Sequence, residues 1–524
     1  MTDDVPASRS AGSRRAPRSS RRPRRSRPSG GARALRPAAP SQPERRPGEP
    51  RRTRTIGGTV GMTVLGAFAP GTGYLFAGRR ALGAVVLIVW IGALGAITWY
   101  FGRDVDTALD LAFDPTLLKI VAGGLGVLLV VWGSITLTSH LLVRPRRRSR
   151  THTVVGYVTL AAVLLVGAAP VLRVAQYVLV TADTVETIFA DDVESATIPT
   201  EATEEDPWAG QDRVNVLLLG GDGGEGRTGV RTDTVILVSI DTKSGKTIMF
   251  SLPRNMMNAQ FPDDSPLHDL YPDGYQTGLG DPGYDMLNAI YGQVPVLHPG
   301  VLGKSDNEGA DAVKLAVSGS LGIPVDYYLL VNLAGFRAVV DAIGGITVNI
   351  NEPVAINGNT DAGIPPTDYL QPGPDQHLDG FKALWYARGR YGSDDYARME
   401  RQRCAIDALI EAADPVTMLK RYVELLKAGQ DIVYTDIPRR LGSAFVQLLL
   451  RVKDAKVRSV VFKTSDKFFS GDPDFDYMHD LVQNAIYPPK KVGGKGREQR
   501  PEAENPKDAC AYQPADGASV SASD

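Results

Sequence analysis

The sequence predicts an α/β domain, an α-β-α sandwich around a central mixed sheet, preceded by an all-α transmembrane region. Three observations predict it. Short β-branched or apolar runs bounded by turns (Val214–Leu219, Thr234–Ile240, Thr247–Leu252) read as strands. Segments of helical periodicity such as Ala310–Leu321 and Leu333–Ile343 are interspersed with them, so helices must cover both faces of the sheet. Upstream lie three apolar runs long enough to cross a bilayer: 81–101, 117–143 and 154–172.

The net charge of -1 over 524 residues conceals a strong asymmetry. Residues 1–54 hold sixteen arginines, no lysine and four acids. That segment is rich in Arg, Pro, Ser and Ala and nearly free of large apolar side chains. It cannot bury enough surface to offset the entropy of ordering, so a disordered cytoplasmic arm is expected. A polybasic arm suits anionic membrane lipids. It has no interleaved aromatics and no recognition-helix pattern after it, which argues against nucleic acid. No short apolar core with a small-residue cleavage site follows a brief basic start, so it does not read as a secretory signal peptide.

Residues 55–180 form the expected membrane region. A weaker apolar stretch at 56–78 is Gly-rich and broken by Ala69–Gly73. Positive charge marks cytoplasmic loops. Three spans place the arm, Arg79, Arg80 and the five arginines of Arg144–Arg150 inside, with the acidic loop around Asp104–Asp114 outside. A fourth span would put Arg144–Arg150 outside. The 56–78 stretch is therefore expected as a re-entrant or interfacial hairpin bent at Pro70–Gly71, and everything beyond about residue 175 as extracytoplasmic. Residues 181–210 read as a juxtamembrane linker, 211–485 as the catalytic domain and 486–524 as a disordered tail. Cys404 and Cys510 fall on the expected outer face, where disulfides persist; a bond would tie the tail to the helix carrying Cys404, and two free thiols are the alternative.

Within the outer domain, the turn Thr242–Thr247 contains Gly-Lys-Thr, but a phosphate loop would need a glycine at Ile240, so a hairpin turn is expected. Residues 258–308 read as long loops. Asp326–Val331 and Ile346–Ile350 read as strands. Gly380–Tyr386, Tyr396–Ala413, 416–428 and Ile437–Lys453 read as helices, and Val457–Lys463 as a late strand.

Chemistry concentrates in two places. In Lys382–Arg403, Arg388 and Arg390 are two apart, so on a strand or extended loop they would point the same way. Arg398 and Gln402 are four apart, so on a helix they share a face. Paired guanidinium groups suit a diphosphate, and apolar residues interleave (Leu384, Trp385, Tyr386, Met399) where a merely solvated basic helix would have none. Upstream, the segment after Leu219 places Asp222, Arg231 and Asp233 around a Gly-rich bend. Two carboxylates brought together there could hold Mg²⁺, although one Asp alone would read as an Asp-Gly turn. Arg254 follows the third strand.

The blocks NVLLLGGD, RTDTVILVSID, SLPRN, MLNAIYG, LGIPVDYYLLVNLAGFRAVVDAIGGITVNI, LDGFKALWYARGR and RMERQRC resemble the LytR-CpsA-Psr family in order and spacing, over roughly residues 211–465. The resemblance implies a membrane-anchored enzyme that moves a glycopolymer from a polyprenyl-pyrophosphate carrier to peptidoglycan. By resemblance Asp222 and Asp233 are the Mg²⁺-associated aspartates, and Arg231, Arg254, Arg388, Arg390, Arg398 and Gln402 the pyrophosphate-binding positions. Asp233, Arg388 and Arg390 are the expected catalytic groups, with Asp233 the first choice of base and Asp394 or Asp395 behind it. The family's Pro-Arg-Asp is Pro-Arg-Asn here, so Asn255 cannot act as a base or anionic ligand, and Met286 replaces a lysine. Multiple spans with an Arg-rich arm resemble actinobacterial members, for which arabinogalactan is a leading glycan. Hydrolysis of the polyprenyl pyrophosphate, or lipid binding by a regulator without turnover, are the competing expectations.

Overall fold

The structure, a computed structural model, describes residues 51–101, 110–146, 149–189, 193–199, 201–221, 231–358, 363–412, 433–488 and 509–513. In the N-terminal part, α1 (Ile56–Phe68) and α2 (Thr72–Phe76) meet at a turn on Gly71, whose φ is +108°. A Cβ there would lie 2.4 Å from Gly83 O, so only glycine lets the turn pack this closely. Helices α3 (Arg80–Phe101), α4 (Pro115–Val143) and α5 (Arg150–Ile188) are long and apolar enough to cross a membrane by length and composition. Helix α1 is held among them by polar contacts: Trp132 Nε1 donates to Ala67 O at 2.9 Å, Thr63 Oγ1 pairs with His140 Nδ1 at 2.8 Å and Thr59 Oγ1 with His152 Nε2 at 2.8 Å. The third span, expected at 154–172, is part of α5, which runs on to Ile188 because no breaker follows Pro170.

The sheet that follows is mixed and has six strands among the described residues. Strands β1 (Arg213–Gly221), β2 (Thr232–Asp241) and β3 (Thr247–Leu252) form an antiparallel meander. The turn after β2 is a hairpin turn, with Gly245 at φ +71° and its N–H on Asp241 O. Parallel pairing adds β4 (Tyr327–Asn332) beside β1, and it adds β10 (Val457–Val461) beside β3. β9 (Val433–Thr435) closes the β4 edge. Small antiparallel pairs join β5 (Ile346–Ile350) to β8 (Gly373–Leu378) and β6 (Val354–Ile356) to β7 (Asp368–Leu370).

Alternation along the strands builds the layers. Leu217, Leu219, Leu237 and Phe250 pack on one face with Val313 and Val317 of a helix at Glu308–Leu321 and Met478 and Val482 of one at Phe475–Ile486. Val214, Val216 and Ile240 pack on the other with Phe445 and Leu448 of a helix at Gly442–Asp454. A third cluster holds together β5, β8 and three helices: α9 (Leu333–Ile343), α10 (Gly380–Arg388) and α11 (Asp395–Ala412). In chain order, α6 is Pro266–Leu270, α7 Ile290–Leu297, α8 Glu308–Leu321, α12 Gly442–Asp454 and α13 Phe475–Ile486. Helices α6 and α7 lie inside the stretch expected as loop, where Pro295 and the short apolar runs hide the helical period. The helix expected at 416–428 lies outside the described residues.

A buried ionic network ties the linker to this domain. Lys314, fully buried on α8, contacts Asp436, Asp311 Oδ1 at 3.2 Å and Ser195 Oγ at 3.0 Å. Asp311 in turn accepts from Ser195 Oγ at 2.7 Å and Ala196 N–H at 2.8 Å, and Asp436 from Tyr328 N–H at 2.7 Å. Asp326 is buried beside them and accepts from Asn215 N–H at 2.7 Å. One cation serves three carboxylates, so ionising all three is unfavourable. Burial pushes the Asp326 carboxyl up to about 6, and burial likewise raises Asp436. A raised carboxyl stabilises the fold below its ordinary pKa, and that contribution is lost as pH rises through 6. At about 1.4 kcal/mol per unit, Asp326 is expected to cost about 3 kcal/mol of stability between pH 4 and 7. Chemical unfolding across that range should show the loss, and Asp326→Asn should flatten it.

Cys404 of α11 and Cys510 form a disulfide, with Cα atoms 5.7 Å apart and a sequence separation of 106. The tail residues 509–513 dock beside β5: Asn349 Nδ2 donates to Cys510 O at 3.0 Å and Gln513 N–H to Asn351 Oδ1 at 2.8 Å. A loop of that length makes the cross-link's constraint on the unfolded chain large. Replacing both cysteines by alanine is expected to cost about 2–4 kcal/mol, read as a lower denaturant midpoint. An unchanged midpoint would contradict this.

Candidate functional site: an apolar cavity with a cationic mouth

The parallel pair β1/β4 ends at Gly220–Gly221 and Val331–Asn332, which lie opposite each other in register. Ligands collect beyond the carboxyl ends of parallel strands. Here that end opens on a cavity of about 320 Å³ between the sheet and helices α9, α10 and α11, lined by apolar side chains that include Leu329, Phe336, Leu384, Ile406 and Leu409. On α11, Arg398, Gln402, Ala405, Ile406 and Leu409 all face it. Their spacing of 4, 7, 8 and 11 residues from Arg398 is one helical stripe. The stripe is cationic and polar at its first turns and apolar beyond, so the helix itself grades the cavity from charged to greasy.

At the polar end, Asp233, Arg388 and Arg398 line this cavity and also a second one of about 120 Å³, which adds Asn357, Gly358, Trp385, Arg390 and Tyr391. Arg254 Nη1 donates to Asp233 Oδ1 at 2.5 Å, and its Nε lies 3.4 Å from Asp395 Oδ1. Arg398 Nη2 sits 2.9 Å from Asp395 Oδ1 and donates to Asp233 O at 3.1 Å. Its Nε is buried with no hydrogen-bond partner among the described residues. A buried, unused N–H on a cation is costly unless an anion completes it. Burial opposes ionisation of Asp233, yet the charge and hydrogen bond of Arg254, with Arg398 behind, hold its carboxyl below the usual range. Burial above all pulls the Arg398 guanidinium down, Asp395 opposes this, and Arg254 and Arg390 add to it.

The expected pairing of Arg388 and Arg390 on a strand or extended loop is corrected. Arg388 is the last residue of α10 and Arg390 follows its C-cap, Gly389. Arg388 therefore reaches both cavities and lies over the Trp385 ring, 5.6 Å from its centroid, while the exposed Arg390 lines the smaller one. Arg231 is exposed ahead of β2 and lines neither cavity; its Nη2 lies 3.9 Å from where a Gly283 Cβ would be. Asp222 lies outside the described residues. Asp394 caps α11 through Ala397 N–H at 2.7 Å, and Asp395 is held by the two arginines. Asn255 Nδ2 is 3.4 Å from Ser470 Oγ, and Met286 caps the turn leading to Asn288.

Two residues that sequence reasoning missed organise the site. Arg401 donates through Nε to Tyr386 O at 2.9 Å and through Nη2 to Gly389 O, so it anchors the end of α10 onto α11. Asn288 takes Arg254 O on its N–H at 3.0 Å, hydrogen-bonds Asp233 with its side chain and keeps a buried, unpartnered Oδ1. An Arg in the same motif was legible as a charge, but not as a strut between helices. Among the described residues no cluster of three His, Cys, Asp or Glu could enclose a metal. The donor set, one Asp233 carboxylate and the Asn288 amide oxygen, still fits Mg²⁺, which takes few protein oxygens and completes its shell with water and phosphate.

A central mixed sheet between helical layers carries an apolar cavity capped by cations. The LytR_cpsA_psr family profile matches residues 178–487, more than half of the chain, and the chain belongs to that family. It is 31% identical over 228 residues to the polyisoprenyl-teichoic acid–peptidoglycan teichoic acid transferase TagU of Enterococcus faecalis, covering 43% of this chain and 61% of that protein. It is 28% identical over 229 residues to the TagU of Bacillus subtilis, covering 43% and 61%. It is 28% identical over 259 residues to Biofilm regulatory protein A of Streptococcus mutans, covering 48% and 56%. The chain thus spans about three-fifths of the length of the curated relatives it matches. Among solved structures, B. subtilis TagV aligns at 23% identity with a TM-score of 0.37, covering 52% of this chain and 96% of that one.

Proposed function

We propose that this protein is a membrane-anchored, extracytoplasmic phosphotransferase that moves a glycopolymer from a polyprenyl-pyrophosphate carrier to peptidoglycan, with arabinogalactan as the glycan. The single observation that carries this reading is the α11 stripe, which grades one continuous cavity from Arg398 to Leu409. A polyprenyl diphosphate has the same grading. Its isoprenoid tail fills the apolar part, and its diphosphate meets Arg388 and the unused Nε of Arg398. Family membership and the transferase names of the relatives support the reaction class. The three long apolar helices support the anchor, and the charge asymmetry supports a cytoplasmic arm with the domain outside.

The acceptor hydroxyl attacks the sugar-side phosphorus. The P–O–P bridge breaks, polyprenyl phosphate leaves, and the glycan keeps a phosphodiester link to the acceptor. Phosphoryl transfer spreads charge over the non-bridging oxygens, so preorganised cations dominate catalysis. Arg388, Arg390 and Arg398 supply them, with Gln402 beside them in the larger cavity. Arg254 fixes Asp233 in its ionised form. A loose transition state releases the hydroxyl proton late, and Asp233, lining both cavities, is the carboxylate placed to receive it. Mg²⁺, held by Asp233 and Asn288 with Asp222, would neutralise charge on the diphosphate, and it would have to leave one Asp233 oxygen free for the proton.

The test is turnover by the detergent-solubilised chain given a short polyprenyl-pyrophosphate-linked glycan and peptidoglycan oligomers, with Mg²⁺ and with chelator. Metal-dependent glycan phosphate on the oligomer is the expected product. Free glycan phosphate with lipid phosphate alone, with oligomer present, would make it a hydrolase. Tight lipid binding without any product would make it a binding protein.

A further inference from the structure

The membrane region holds a cavity of its own, of about 540 Å³. Its walls come from Trp90 of α3, Trp132 of α4 and Val163 and Val166 of α5, and its floor from Ala67 and Phe68 at the tip of α1. Resting on the functional reading above, we propose that this cavity binds the distal isoprenes of the carrier's tail, so that the membrane region selects carriers by chain length.

The cavity lies at the depth of the bilayer core. Trp90 and Trp132 are each about 15 Å along their helices from Arg80 and Val143, the ends placed at the cytoplasmic face. Val171, also in the lining, is about 30 Å along α5 from Arg150. The cavity thus runs from mid-bilayer towards the outer leaflet. No charged side chain lines it. Water does not fill an apolar cavity, and a void forfeits the dispersion contacts of its walls, so the occupant is a hydrocarbon chain.

Its walls are held in place. Trp132 is pinned by its N–H on Ala67 O, and a Cβ on Gly167 would lie 2.4 Å from its Cη2, so only glycine lets α5 pass this close to the indole. At the floor, Phe68 is 82% exposed, a large apolar ring that no other described residue covers.

Continuity with the diphosphate site selects an isoprenoid over an ordinary acyl chain. Val433 of β9 lines the cavity under α11, and β9 touches α5. Helix α5 therefore runs unbroken between the two cavities, about 25 Å from Val171 to Ile188. Leu172, Val174, Tyr177 and Leu179 remain exposed along that path and keep it apolar. A carrier anchored in the bilayer keeps its distal isoprenes in hydrocarbon while its diphosphate meets Arg388. A phospholipid of the same leaflet has no such tie to the outer domain.

The experiment uses the full chain in phosphatidylcholine nanodiscs and two probes: farnesyl pyrophosphate, whose tail ends under α11, and undecaprenyl pyrophosphate. Val166→Trp and Ala162→Phe add bulk to the membrane cavity. Each is expected to weaken binding of undecaprenyl pyrophosphate about tenfold relative to wild type, and of farnesyl pyrophosphate less than twofold. Comparing each probe with itself cancels its partition into the bilayer. Unchanged binding of both, or equal losses on both, overturns the proposal and leaves the diphosphate site standing. Undecaprenyl pyrophosphate with a diazirine on its terminal isoprene should label Trp90, Leu94 or Val163 in wild type, a readout that does not depend on the variants folding. Unlabelled undecaprenyl pyrophosphate should compete the label away, and Arg388→Ala should reduce it. Equally strong competition by phosphatidylglycerol would make the cavity an ordinary phospholipid site and overturn the proposal. Failure of both pyrophosphates to bind, with no effect of Arg388→Ala, overturns the functional reading itself and the proposal with it. Melting temperatures check that the variants fold.

Discussion

Arg388→Ala is expected to lower turnover of a polyprenyl-pyrophosphate-linked glycan by about 10²–10³-fold, the usual cost of removing one preorganised donor to a developing anion. Arg388 ends α10, is half-buried and lines both cavities. Its loss removes charge from the proposed diphosphate locus, and the described residues show no ion pair made by Arg388, so the melting temperature should move little. Arg388→Lys should recover only part of the rate, because an ammonium cannot present two parallel N–H groups to phosphate oxygens. The kinetic signature separates roles. A fall in kcat with KM nearly unchanged identifies a group that acts on the transition state, whereas a rise in KM alone would demote Arg388 to ground-state binding.

The second large effect concerns stability and lies away from the chemistry. Lys314→Met is expected to destabilise the outer domain by about 3–5 kcal/mol, since removing one partner of a buried pair strands the other charges. Met nearly conserves volume, so the loss reports charge and not a cavity. Asp436 and Asp311 would keep their backbone donors, Tyr328 N–H and Ala196 N–H, but lose the only cation within contact distance that the described residues show. Adding Asp436→Asn, which can still accept from Tyr328 N–H, should restore part of the stability. Denaturant unfolding of the two variants checks this, and a loss under about 1 kcal/mol would mean that the carboxylates simply take up protons. Because Asp311 also holds Ser195 and Ala196, the variant should expose the linker to protease before the rest of the domain.

Local signals in the sequence were sufficient where the determinant is local. Leu333–Ile343 and Ile346–Ile350 match their expected limits, because a helix ended by glycine and a five-residue apolar run are both complete within one window. The Arg398–Gln402 face was legible for the same reason: helical spacing alone puts both on one stripe. The 56–78 hairpin followed from a loop-charge argument and from the Pro-Gly break, and α1 and α2 turn at Gly71.

What the sequence did not reveal depends on contacts between distant segments. Strands β6, β7 and β9 have three residues each and β8 is a polar run, so they become strands only through partners. The Lys314 network joins residues that are more than 100 positions apart, so each member reads alone as an ordinary surface charge. Arg401 sits in the same motif as Arg398 but points the other way, onto the carbonyls of Tyr386 and Gly389. The expectation for Arg388 and Arg390 failed because the helix continues two residues past Tyr386, which rotates the first arginine into the cavity. The disulfide was open at the level of sequence because pairing is a matter of geometry, and docking of residues 509–513 on β5 supplies it.

The most direct test of the account is photolabelling with a prenyl pyrophosphate whose terminal isoprene carries a diazirine, followed by peptide mapping. The account predicts label on Phe336, Ile406 or Leu409, competed by unlabelled prenyl pyrophosphate and much reduced in Arg388→Ala. Label confined to the long apolar helices α3–α5, indifferent to competitor and to Arg388, would contradict the claim that the cavity under α11 holds the lipid tail.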